Sequence, residues 1–80
     1  MTLADLKEVL VSEGIPTNWY LLENHGIKED KICIETEGSQ WIVYYSERGK
    51  KYDVSSFGDE SSACEEMLRR LRAKKNKSKK

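Results

Sequence analysis

The stretch KICIETEGSQWIVYYSERGKKYDVS, residues 31–55, decides the fold. Ile32 and Ile34 alternate with Cys33 and Glu35, Trp41, Val43 and Tyr45 with Ile42 and Tyr44, and Tyr52 and Val54 repeat the same period of two. Successive side chains of a strand point to opposite faces, so this alternation predicts strands over residues 31–35, 40–46 and 51–55. Glu37-Gly38 and Glu47-Arg48-Gly49-Lys50 supply the turns between them, with Gly49 free to take the positive φ that a tight hairpin needs. Residues 40–46 are apolar on both faces. That pattern fits a central strand, or a sheet with one face in the core and the other partly exposed for a partner.

Working outward, residues 19–23 read as an earlier strand, Asn24-His25-Gly26 as a turn and residues 28–31 as a charged connector. Residues 2–13 carry Leu3, Leu6, Val9 and Leu10 at helical spacing, with Thr2 and Asp5 placed to cap the start. Gly14 suits the helix end, and Ile15-Pro16 stops it because the residue before proline is pushed out of the α region. After Phe57-Gly58, Asp59 is placed to cap a second helix whose apolar stripe is Ala63, Cys64, Met67, Leu68 and Leu71. Glu65 with Arg69 and Glu66 with Arg70 stand in the favourable i, i+4 order. The expected fold is α+β, a small antiparallel four-stranded meander flanked by an N-terminal and a C-terminal helix in the order α-β-β-β-β-α. Neither helix can bury its stripe alone, so both are expected on one face of the sheet.

Eighty residues allow one domain, and a chain this short leaves little room for an internal substrate cavity. Leu, Ile, Val and Phe number 17, all before Ala73. Residues 1–72 are therefore expected to be a single domain and residues 73–80 a basic, disordered tail. The formal charge of zero divides along the chain. All 14 acids stand before Arg69 against six bases, a net −8, and the eight bases from Arg69 onward meet no acid, a net +8. There is neither a run of apolar residues long enough to span a bilayer nor a basic-then-apolar leader, so a cytoplasmic protein without membrane contact is expected.

Little in the chain suggests catalysis. Cys33 and Cys64 lack CxxC spacing and a neighbouring His, which points to two small buried side chains rather than a disulfide framework or a zinc site. The one histidine, His25, sits in a polar turn, and no nucleophile elbow or phosphate-binding loop is present. No catalytic residue, metal or cofactor is expected. Lys74, Lys75, Lys77, Lys79 and Lys80 could give salt-sensitive contact with nucleic acid, as the accessory element of a nucleic-acid-binding or ribosome-associated module. The acidic body would oppose that contact. A solubilising extension, or cations complementing a helix C-terminus, explains the same residues.

An acidic body steers a cationic partner, and its Trp and Tyr residues are types enriched at protein interfaces. Glu29, Asp30, Glu35, Glu37 and Glu47, with Trp41 and Tyr44, are the candidate contacts.

A further pattern joins these residues. Trp41-Ile42-Val43-Tyr44-Tyr45-Ser46-Glu47-Arg48-Gly49, followed by Phe57 and then Ala63-Cys64, resembles the small immunity proteins of bacterial polymorphic toxin and contact-dependent inhibition systems. Gly14-Ile15-Pro16 and Tyr20-Leu21 after the first helix fit the same pattern, so the resemblance covers residues 3–72 and leaves the basic tail outside. It implies a cytosolic, non-catalytic antidote that binds the C-terminal domain of a cognate toxin; a monomer or weak dimer is expected. For a basic nuclease toxin, the acidic groups would occupy its phosphate site. Within the motif, Glu47, Arg48 and Gly49 also have a purely structural reading as a turn held by an ion pair.

Overall fold

A computed structural model describes the chain at residues 1–22 and 30–78. Its elements are helix α1 (Leu3–Ser12), a 3-10 turn (Thr17–Trp19), strands β1 (Tyr20–Leu22), β2 (Lys31–Glu37), β3 (Gln40–Glu47) and β4 (Lys50–Phe57), and helix α2 (Glu60–Ser78). The order α-β-β-β-β-α is the one expected. The sheet runs β1-β2-β3-β4, which puts β3 inside it.

α1 begins and ends by local chemistry. The Thr2 side chain accepts from the Asp5 amide and Asp5 accepts from the Thr2 amide, closing a capping box. At the other end Gly14, at φ 73, donates to the Val11 carbonyl, and Ile15 donates to that of Leu10. These two bonds form a Schellman motif, and buried Leu10 and Ile15 supply its apolar contact. Asp59 caps α2 by accepting from the Ser62 amide at 2.8 Å, which holds its carboxyl below the usual range. Glu60 in the first turn of α2 accepts from the Leu3 amide at 2.7 Å, so one carboxylate ties the starts of both helices together.

Both hairpin turns follow their glycines. At Glu47-Arg48-Gly49-Lys50 both central residues have positive φ, 52 and 77, the type I′ pattern. At Glu37-Gly38-Ser39-Gln40 only the first central residue, Gly38, has positive φ, as in type II′.

The helices pack on one face of the sheet. Leu6, Leu10, Ala63, Met67, Leu68 and Leu71 meet Ile32, Ile34 and Val43 there, with Trp41, Tyr45 and Phe57 at the margin. The opposite face holds a smaller cluster of Cys33, Ile42 and Tyr44, packed with Leu21. Both cysteines are buried and unbonded to each other, as expected. Burial pushes the Cys64 thiol up to about 11, aided by the Glu60 carboxylate. Among the described residues no helix is long and apolar enough to cross a membrane.

Four details differ from the sequence expectation. First, β1 pairs parallel to β2, with Tyr20 beside Ile32 and Leu22 beside Ile34, so the sheet is mixed rather than wholly antiparallel. Parallel neighbours cannot be joined by a tight hairpin, and the eight positions between Leu22 and Lys31 exceed the usual hairpin loop. The turn expected at Asn24-His25-Gly26 lies outside the described residues. Second, β4 carries a bulge: Val43 pairs with Ser55 and Tyr45 with Tyr52, leaving Asp53 and Val54 against the single residue Tyr44. Asp53 takes φ 52 there, which breaks the simple alternation of Tyr52 and Val54. Third, Arg69 pairs with Glu66 rather than Glu65. Fourth, α2 runs through Ser78, into the stretch from residue 73 where a disordered tail was expected. Arg72 and Lys75 reach the end of α1, and the Lys74 ammonium sits 4.8 Å from the Trp19 ring.

Candidate functional site

Two polar surfaces flank the sheet. On the face away from the helices, β2 and β3 set Glu35 and Tyr44 close together, and Lys51 on β4 reaches over them. Tyr44 donates to Glu35 at 3.1 Å, while the Lys51 ammonium lies 3.4 Å from Glu35, 3.9 Å from Glu37 and 5.0 Å from the Tyr44 ring centre. Burial, with the Glu35 carboxylate and Cys33 adding to it, drives the Tyr44 phenol well above its ordinary range.

Three of the seven candidate contacts, Glu35, Glu37 and Tyr44, thus form one network. Asp30 and Glu47 gather at the start of β2 and the end of β3, where Tyr45 donates to Asp30 at 3.3 Å. Burial and these two carboxylates raise the Tyr45 phenol. Glu29 lies outside the described residues.

The aromatic candidates need correction. Tyr44 is fully buried, and Trp41 packs partly buried against the helix-side core, so neither is an open anchor. A strand apolar on both faces was the cause: both of its faces are covered. Tyr52, 44 % exposed, is the aromatic that β4 leaves at the surface. Of the carboxylates, Glu37 is the most accessible in the network, with 68 % of its side chain exposed. At the hairpin, Arg48 and Gly49 serve the turn through their positive φ, and no ion pair between Glu47 and Arg48 forms among the described residues.

The second surface was not read from the sequence. Between the bulge of β4 and the C-terminal half of α2 lies an open cleft of about 650 Å3. Ile32, Tyr45 and Val54 line it with apolar surface, and Arg69, Arg70, Lys74 and Lys77 with cations. Arg70 is fixed there: its Nε donates to Glu66 at 2.7 Å, and its Nη2 donates to the Asp53 carbonyl at 2.7 Å and to Ser55 Oγ at 3.0 Å. Arg69 donates to both oxygens of Glu66. Those bonds, the Arg69 pair foremost, pull the Glu66 carboxyl down to about 2. The i, i+3 and i, i+4 spacing of one acid with two arginines was the signal available for this cluster.

Among the described residues no group of three or more His, Cys, Asp and Glu is arranged to hold a metal ion. No protein-family model matches the chain, and no curated protein or solved structure matches it either.

Proposed function

We propose that the chain is a binding protein of the immunity type, which neutralises a cognate bacterial toxin domain by occluding its cationic substrate site. The observation that carries this reading is the network on the sheet face away from the helices, where Glu35, with 12 % of its side chain exposed, and the more accessible Glu37 both approach the ammonium of Lys51. Lys51 is partly exposed, and a guanidinium from a partner would match two carboxylates better than one lysine does. Asp30, which is exposed, and Glu47 extend the acidic rim at the sheet end. The resemblance of residues 41–49 to immunity proteins supports the same assignment, and the toxin is proposed to be a basic nuclease acting in the cytoplasm.

The test is expression of the toxin domain encoded beside this chain, alone and together with it. Survival restored by the chain, and a complex weakened at least tenfold by Glu35→Gln with Glu37→Gln, is the expected result. A toxin that kills equally well in the presence of the folded chain overturns the proposal.

The basic C-terminus supports the rival reading less than its composition suggests. Lys74 is engaged with Trp19 and Lys75 with the Glu13 carbonyl, so both serve the fold. Contact with nucleic acid would rest on Lys77 and on Lys79 and Lys80, which lie outside the described residues.

A further inference from the structure

We infer that the cleft between β4 and the C-terminal half of α2 binds a small organic phosphate, its anionic group held by arginine and its apolar part laid on Ile32, Tyr45 and Val54. The cleft lies on the helix side of the sheet, opposite the Glu35 and Glu37 network, and meets the acidic rim only where its Tyr45 donates to Asp30; the inference does not rest on the function proposed above. Three observations converge on it.

The first is charge. Arg69, Arg70, Lys74 and Lys77 face only Glu66 and Asp53 among the described lining residues, a surplus of two positive charges. A phosphate monoester carries about −1.5 to −2 near neutral pH and matches that surplus, which a single carboxylate would not.

The second is preorganisation. Arg70 has only 14 % of its side chain exposed, and three acceptors hold it in place. Nε and Nη2 are fully engaged, while Nη1 makes no hydrogen bond among the described residues. Arg69 is arranged similarly, with Nε and Nη2 on Glu66. Each guanidinium therefore keeps a donor edge, and such edges take phosphate oxygens at little cost in side-chain entropy. Lys77 makes no ion pair among the described residues and adds a further exposed cation to the lining.

The third is the opposite wall. Val54 is 50 % exposed because the bulge at Asp53 displaces the strand, and Tyr45 and Ile32 continue the apolar surface inward. A volume of about 650 Å3 falls within the ordinary range for small-molecule sites.

The experiment titrates the full chain, labelled for NMR, with phenyl phosphate, inorganic phosphate and phenol. Phenyl phosphate is expected to shift the Ile32, Tyr45, Val54 and Ser55 signals saturably and to bind at least tenfold more tightly than either of the other two. Arg69→Gln with Lys77→Gln, both at exposed positions, is expected to weaken it at least tenfold while leaving the signals of α1 and of the opposite sheet face unchanged. Phenol binding as tightly as phenyl phosphate, shifts no larger in the cleft than at Lys50 and Lys51, or an unaltered affinity in the folded double variant would each overturn the inference.

Discussion

Arg70 donates through Nη2 to the main-chain carbonyl of Asp53 at 2.7 Å, joining the middle of α2 to the bulge of β4. Asp53 is the residue that takes positive φ in the bulge, and β4 is one edge of the sheet. An arginine whose other donors meet Glu66 and Ser55 thus occupies a carbonyl that the bulge turns out of the ladder.

Arg70→Ala should lower stability by about 2 kcal/mol, because three charge-assisted or partly buried bonds are lost together. Arg70→Lys should recover less than half of that, since one ammonium cannot serve a carboxylate, a carbonyl and a hydroxyl set out in a fork. Urea denaturation measures both variants. Equal stability of the lysine variant and the parent would show that charge alone holds the helix down.

Glu66 ties the same region to pH. Its carboxyl is held down at about 2, below the ordinary value of 4.5, so the folded state binds the proton less readily than the unfolded state. The stability it contributes is complete above pH 4.5 and is lost as pH falls from there through about 2. Glu13 and Asp59 are lowered too and add to the loss with the same sign. Glu66→Gln should flatten the dependence of the urea midpoint between pH 4.5 and 2, and a profile parallel to the parent's would refute the role.

How much of this was legible depended on whether the information was local. The strands of residues 31–55 were readable because alternation met turn chemistry at Gly38 and Gly49, which agree on register. The first helix was readable because Thr2, Asp5, Gly14 and Pro16 punctuate it. The parallel pairing of β1 was not, since three residues, Tyr20–Leu22, carry no directional signal. The bulge at Asp53 was not, because an aspartate at positive φ looks like any other until register is counted. Of the acidic candidates, charge and position named Glu35 and Glu37 but not that they meet at Lys51, and apolar character on both faces of β3 could not say that Tyr44 is buried.

Tyr44 gives a test at alkaline pH. Its phenol is raised well above the ordinary value of 10, so the folded state retains the proton longer than the unfolded chain does. The stability involved is present below pH 10 and is lost as pH rises beyond it. Tyr44→Phe removes the bond to Glu35 and should cost about 1 kcal/mol at neutral pH. It should also make the chain less sensitive to alkali. Ultraviolet titration of the parent should show a tyrosine that ionises only on unfolding, and a phenol titrating normally in the native state would contradict its burial.

Asp53 and Arg48 both hold positive φ, which favours glycine, yet their side chains differ in what they tolerate. Asp53→Val puts a β-branched residue in that region and should cost about 1 to 2 kcal/mol, whereas Asp53→Gly should stay within about 0.5 kcal/mol of the parent. If the valine variant were as stable as the glycine variant, the bulge would have to have moved elsewhere in β4, and the Val43 and Tyr45 pairings would reveal it by exchange between neighbouring amides.

The basic end of α2 offers the last test, because composition and structure give opposite answers for it. A lysine-rich run without apolar residues should cost nothing to remove, as a solvated tail does. In the fold, however, Lys75 donates to the Glu13 carbonyl at the C-terminus of α1, Arg72 pairs with the Glu13 carboxylate, and Lys74 lies over Trp19. Cations at that end complement the dipole of α1, and an ammonium over an indole face contributes about 0.5 to 1 kcal/mol. Lys74→Ala with Lys75→Ala should therefore lower the melting temperature by a few degrees and alter the Trp19 emission, and high salt should reproduce part of the loss. Lys77→Ala alone, at a position with no ion pair among the described residues, should do neither. A double variant as stable as the parent, with unchanged Trp19 emission, would return residues 74 and 75 to the solvent and make a clean truncation at Ala73 the right way to separate tail from body.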